Sequence, residues 1–283
     1  MSAPDVARKD FLAASRSRSL WLVATLLGLL TTVVAYGYQG YRLGPRETVI
    51  QLFMTLGTVF ALLLPIVALV ASYMTIAGER ESGGVTLLLG LPNSRHDVFL
   101  GKLLSRLAVV ASGVTFMFVT ATAMAVTRHG VLPLGTVLGV FAVSIVYTAV
   151  FVAIAVALSA SVGARSRAIA ASVGAYFLLV VLYVIPGVSV AGIVRFVHRT
   201  MLGFERNVNL YNAVTYTSPF TAYRKAINLV VPDGREQQVF RRMAENADLP
   251  AYLGDEVSLL VFAVWLVGPL AIGYLRFEGA DLL

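Results

Sequence analysis

Hydrophobic and polar positions along this chain separate into long blocks rather than alternating at a short period. Six uncharged apolar runs, about residues 20–38, 49–76, 107–126, 134–162, 168–190 and 257–274, each reach the length that reads as a membrane-crossing helix. None contains Asp, Glu, Lys, Arg or His. A segment crossing lipid has to satisfy its backbone hydrogen bonds internally, so the expected fold class is an all-α membrane protein, a six-transmembrane-helix bundle. The second run has 28 residues. At 1.5 Å per residue it spans about 42 Å, more than the roughly 30 Å hydrocarbon core, so it tilts or projects beyond the bilayer. Pro65 inside it is either a kink and hinge or a proline that a span tolerates.

Small residues recur four apart in the fourth and fifth runs: Ala149, Ala153, Ala157 and Ser161, then Ala171 and Ala175. Such stripes let helices approach closely, within one subunit or between two. Residues 1–19 precede the first run. Ser2 with Asp5 forms a capping box, and Val6, Ala7, Phe11 and Ala14 recur at helical spacing. With Arg8, Lys9, Arg16 and Arg18 beside them, they predict a helix in the membrane interface; a disordered basic leader is the alternative. Residues 20–190 hold the first five spans. Residues 191–256 are too polar for lipid and predict a small helical cap, with one amphipathic helix over 193–202 and another from Asp233 to Ala247. Residues 257–283 supply the last span and a short tail.

Charge then sets an orientation. Arg8, Lys9, Arg16, Arg18, Arg80, Arg95, Lys102, Arg106, Arg165, Arg167 and Arg276 fall on one side of the six-span layout, against Arg42, Arg46 and Arg128 in the two short loops of the other. The positive-inside rule places both termini and the 77–106 segment in the cytoplasm, in a multi-pass protein of a prokaryotic plasma membrane. Composition agrees, with 58% hydrophobic and 13% charged residues. The formal charge of +7 belongs to these inner-face arginines, so nucleic acid is not an expected partner and the lipid bilayer is. There is no cysteine, which excludes disulfides and thiolate sites.

The most distinctive stretch lies between the second and third runs. Glu79, Arg80 and Glu81 appear as the apolar run ends, and Gly83 and Gly84 break the helix. A short apolar turn from Val85 to Leu91 stops at Pro92. Ser94, with Asp97 as its capping box, then starts a helix that carries Arg95, Gly101, Lys102 and Arg106 into the third span. A plain loop needs only a few polar residues, so this helix–proline–helix elbow reads as a docking surface.

The wording of the elbow, Glu79-Arg-Glu, Gly83-Gly84-Val-Thr-Leu-Leu-Leu, Leu91-Pro92, Ser94-Arg95 and Gly101-Lys102, resembles the ABC-2 type transporter permeases. Within them it is most similar to the six-span branch serving nitrous oxide reductase maturation. Family members often carry Gly-Thr where this chain has Gly84-Val85-Thr86. The resemblance implies a transmembrane subunit that itself holds no cofactor and is driven by two copies of a separate ATPase, which bind ATP and magnesium. It also implies a second permease copy, with a homodimer favoured over a heterodimer. Under it, Glu79, Arg80, Glu81, Gly83, Gly84, Pro92, Arg95, Gly101 and Lys102 couple to the ATPase. Export of an amphiphilic or hydrophobic cargo is the implied activity. The runner-up is delivery of a sulfur- or metal-related species to an extracytoplasmic partner protein.

Residue chemistry supports a non-enzymatic role. No phosphate-binding loop is present, because Gly101-Lys102 lacks the first glycine. His96, His129 and His198 fall in three separate loops, which gives no metal site. An ATP-independent secondary transporter or channel would normally carry ionisable groups within its spans, and these spans have none. Hydroxyls and aromatics are what remain for a pathway: Thr55, Thr58, Ser72, Tyr73, Tyr147 and Tyr176. The hydroxyls of the second span and the Ala171–Ala175 face are also candidates for the shared interface. Threonine and serine in a span equally bond their own helix backbone.

Overall fold

In the computed structural model, residues 2–40, 43–84, 94–185, 189–232 and 250–280 are described, and there is no strand among them. The chain is a multi-pass membrane bundle. Its long helices are α2 (Arg18–Gly37), α3 (Pro45–Ser72), α5 (Arg95–His129), α6 (Leu134–Ser161), α7 (Arg165–Tyr176) and α11 (Val257–Glu278). A π-helical turn, Phe177–Val181, carries α7 on to Val184. Five of these are long and apolar enough to cross a membrane. The apolar part of α2, residues 21 to 37, is at the short end of the spanning range.

The third apolar run and the polar helix before it form one continuous helix, α5, because nothing between Ser94 and Gly130 forces a break. Ser94 accepts a hydrogen bond from the Asp97 backbone and the capping box is complete. At the other end Gly130 adopts φ 73°, the left-handed cap that favours glycine. α5 has 35 residues, about 52 Å at 1.5 Å per residue, so it stands well beyond the roughly 30 Å hydrocarbon core.

The second run also extends past the bilayer. α3 ends at Ser72, turns through Tyr73–Ile76 and restarts as α4 (Ala77–Glu81). Its first amides are capped from another helix: the Ser159 hydroxyl of α6 accepts from both Ile76 and Ala77, each at 3.0 Å.

The N-terminal helix α1 (Ala3–Ser15) has its capping box, formed by Ser2 and Asp5. It runs alongside α5 in the same direction. The Ala3 amide donates to Asp97, Val6 packs on Gly101, and Asp10 meets Lys102 and Arg106. A Cβ on Gly101 would lie 2.6 Å from Val6 Cβ and 2.8 Å from the Ala3 carbonyl oxygen, so the absence of a side chain there sets the approach.

The bundle core is aromatic. Phe53, Phe60 and Phe118 pack together, and Tyr147 stacks on Phe151 edge-on. The small-residue stripe of α6 works within the chain: Gly273 of α11 packs directly on Ala157, where a Cβ would meet the Ala157 Cα at 2.6 Å.

Within 191–256, α8 (Val190–Phe196) continues as a π-helical turn to Met201 and is followed by α9 (Val208–Tyr216). The helix expected over Asp233–Ala247 lies outside the described residues. α10 (Pro219–Asn228) is a buried wedge among α3, α6 and α11. Its Tyr223 stacks on Tyr147 with ring centroids 4.2 Å apart and bonds Ser144 at 2.7 Å, while Ile227 fills the space over Gly57. Lys225, on the same helix, pairs with Asp255.

Candidate functional site: the elbow end

The elbow leaves α4 at Gly83, which adopts φ 74° and so turns the chain at little steric cost. Gly84 follows. Val85–Asn93, including Pro92, lie outside the described residues, and the chain re-enters description at Ser94. The residues flanking this gap are tied together from every side.

Lys102 is 3% exposed and its ammonium lies between two carboxylates, Asp10 of α1 at 2.8 Å and Glu79 of α4. Arg106 approaches the other Asp10 oxygen at 3.3 Å. Burial disfavours the Asp10 charge, but Lys102 and Arg106 outweigh it and hold the carboxyl below its ordinary range. One acid of the elbow is therefore used to join α4 to α5, and Lys102 is the centre of a three-helix latch rather than a surface cation.

The neighbouring charges are also engaged. Glu81 is exposed and accepts a hydrogen bond from the Arg165 backbone at 2.6 Å. Arg80 lies over the Phe277 ring, 5.3 Å from its centroid, and reaches the Val162 carbonyl. Arg95 donates to the carbonyls of Phe277, Glu278 and Ala280, the C-terminal end of α11. These carbonyls have no partner within their own helix, and a cation there also suits the helix dipole. Glu79, Arg80, Arg95 and Lys102 thus fasten α1, α4, α5 and α11 into one unit around the elbow. Gly101 contributes through its contact with α1.

The residues expected along a pathway are arranged differently. Pro65 has no N–H to give to the Ala61 carbonyl one turn back. The Tyr147 hydroxyl donates to that carbonyl at 2.8 Å, and Tyr176 reaches the Leu62 carbonyl at 3.4 Å. Tyr147 therefore takes up the carbonyl that Pro65 leaves free, while Tyr176 ties α7 to the next carbonyl of α3. Thr55 and Thr58 donate to Gln51 and Met54 of their own helix. Ser72 is fully buried within the chain, and Tyr73 is half-buried at the end of α3. Tyr147, Phe151 and Tyr223 are fully buried between these helices.

Asp10 and Ser159 were not singled out by the sequence reading. A signal for Asp10 existed: Val6, Asp10 and Ala14 are four apart and share one helix face, and an acid in the middle of an apolar stripe implies a cation opposite. Nothing in the sequence marked Ser159 over the other span hydroxyls.

Residues 5–282 match the family described as ABC-2 family transporter protein. The chain is similar to a probable ABC transporter permease protein NosY of Pseudomonas aeruginosa strain PAO1, with 28% identity over 188 residues, 63% of this chain and 66% of that protein. The protein of the same name from Stutzerimonas stutzeri is 29% identical over 190 residues, 63% of this chain and 67% of the relative. The match spans just under two thirds of the length of the first of these.

Proposed function

The chain belongs to the ABC-2 family of transporter proteins, and from that premise we propose that it is a permease subunit whose 82–94 elbow receives a separate ATP-binding subunit. The observation that carries this reading is mechanical. The elbow is strung between α4, pinned by Ser159 and by Glu79–Lys102, and α5, which is uninterrupted from Arg95 to His129. A displacement that reaches Ser94 enters an unbroken helix. It moves α5 as a rod and takes with it α1, through Asp10, and the end of α11, through Arg95.

The internal use of Glu79 leaves the exposed Glu81 and, on their apolar sequence alone, residues 85–91 as the parts of the elbow we assign to a partner. ATP and magnesium belong to that partner, in line with the lack of a phosphate-binding loop here. The elbow end faces the cytoplasm on the charge distribution. Because aromatic side chains fill the interior of one bundle, the route for cargo runs between two copies of the permease. The lipid-exposed face of α7, with Val173 and Phe177 beside Gly174 and Ala175, is the proposed meeting surface. A route with hydroxyl and aromatic walls but no charge suits export of an amphiphilic or apolar molecule.

The test replaces Leu88 and Leu89 with Asp in the full chain, co-expressed with its ATP-binding subunit. The expected result is loss of co-purification and of ATP-dependent cargo movement in proteoliposomes, while α1 keeps its hydrogen-exchange protection. An ATP-binding subunit that stays bound to this variant overturns the elbow assignment.

A further inference from the structure

At the elbow end, α1, α2, α3 and α5 enclose an apolar groove of about 450 Å³, lined among others by Phe11, Trp21, Leu27, Val67, Val110 and Met117. That volume is within the 300–1,000 Å³ range of ordinary ligand pockets. We propose that this groove holds one acyl chain of an anionic phospholipid from the elbow-side leaflet, with its headgroup against Arg16 and Arg18.

Three observations select this occupant. The first is chemical. The hydroxyls on the groove wall are already used, Ser112 donating to Val109 and Thr115 to Ala111, so the wall offers alkyl and aromatic surface. The second is length. The α5 wall runs from Val109 to Val119, ten steps of 1.5 Å or about 15 Å, which is half the roughly 30 Å hydrocarbon core and so the depth of one leaflet. The third is charge. Between the lining residues Ser15 and Trp21 the chain carries Arg16, in the α1–α2 connector, and Arg18, the first residue of α2, both exposed and in no ion pair among the described residues. Asp10, the one acid between Val6 and Trp21, is taken by Lys102 and Arg106. The Trp21 indole donates to the Ser15 carbonyl at 2.7 Å and marks the headgroup level, where tryptophan collects.

Gly113 provides the means of closing the groove. It is one of the lining residues, and a Cβ built on it meets no atom within 4 Å. Leucine there projects into open space, and it is a better helix former than glycine, so Gly113→Leu blocks the groove without opposing the fold of α5.

The test uses the full chain in nanodiscs containing phosphatidylglycerol with a diazirine in the middle of one acyl chain. After illumination, adducts are mapped by mass spectrometry. Adducts are expected on 109–119 and 21–27, and Gly113→Leu should lower them about fivefold relative to Gly113→Ala, with adducts on the lipid-facing Leu260, Val264 and Val267 unchanged. Arg16→Gln with Arg18→Gln should lower groove labelling by phosphatidylglycerol about thirtyfold, given about 1 kcal/mol for each of the two basic residues near an anionic surface, and leave labelling by the matching phosphatidylcholine unchanged. Groove labelling no stronger than labelling of the α11 face, or equal for the two lipids, means bulk lipid only and overturns the proposal. So does a disulfide between copies carrying Ser112→Cys, the one thiol such a chain would have, because a second copy then covers the groove.

Discussion

Replacing Lys102 with Met tests the latch that joins α1 to the elbow. Lys102 Nζ is 2.8 Å from Asp10 and is also shared with Glu79, with side-chain exposures of 3%, 14% and 32% for the three residues. At an effective dielectric of 20, a unit pair at that distance has a gross attraction of about 6 kcal/mol, much of which desolvation takes back. Truncating one partner of a fully buried pair costs about 3–5 kcal/mol. Both carboxylates here keep some access to water and Arg106 still faces Asp10, so a loss of about 2–3 kcal/mol is the expected size. Hydrogen exchange of residues 3–15 should then accelerate roughly 30- to 150-fold, at about 1.4 kcal/mol per decade.

Adding Asp10→Asn and Glu79→Gln to that variant removes the stranded charges and should return most of the protection. The pH dependence follows from the lowered Asp10 value. A carboxyl held below its ordinary 3.8 contributes its full stability above that value and loses it as pH falls through the lower folded value. Protection of α1, corrected for intrinsic exchange, should therefore stay flat from pH 8 to about 5 and fall only below about 4. If Lys102→Met leaves the exchange of residues 3–15 unchanged, the ion cluster is not what holds α1, and the mechanical reading of the elbow fails with it.

Other consequences are equally direct. Gly101→Ala forces a methyl group against Val6 and the Ala3 backbone, an overpacking worth about 1–3 kcal/mol, and limited proteolysis should release α1 in this variant while the spans stay intact. Tyr147→Phe strands the Ala61 carbonyl and should cost about 1–3 kcal/mol in detergent unfolding; in a Pro65→Ala background, where residue 65 regains its N–H, that cost should largely vanish, and an unchanged cost in both backgrounds refutes the proline-repair role. Gly273→Ala should lower thermal stability by driving α11 away from Ala157, measured as a fall in Tm of the purified chain. A single cysteine placed at Ser82 should react with a membrane-impermeant maleimide only from the cytoplasmic side; labelling from outside reverses the orientation.

The spans and the capping boxes were legible because each depends on local pattern. An uncharged run of the required length, or a serine three residues before an aspartate, carries its own meaning. The pairings were not legible, since Asp10 and Lys102 are 92 positions apart and each alone looks like an interfacial charge. Tyr147 and Tyr176 read as pathway residues because a hydroxyl in a span needs a partner; for Tyr147 that partner is the carbonyl freed by Pro65, known only once α3 and α6 are side by side, and for Tyr176 it is the Leu62 carbonyl. Thr55 and Thr58 took the plain alternative open to any span hydroxyl and bond their own helix. The burial of α10 was hidden by its polar residues: Thr221, Lys225 and Asn228 are all buried.

The cap that Ser159 places on α4 also has a consequence in time. Ile76 and Ala77 leave the ribosome 83 and 82 residues before the hydroxyl that accepts their amides. At about 5–20 residues per second, roughly 4–17 s pass before α6 can complete the turn into the elbow. Until then the amides of Ile76 and Ala77 lack the hydroxyl that caps them. The proposed docking end is thereby completed only after the fourth membrane helix is in place, so the entry to the elbow is among the late features of this chain to be fixed during synthesis.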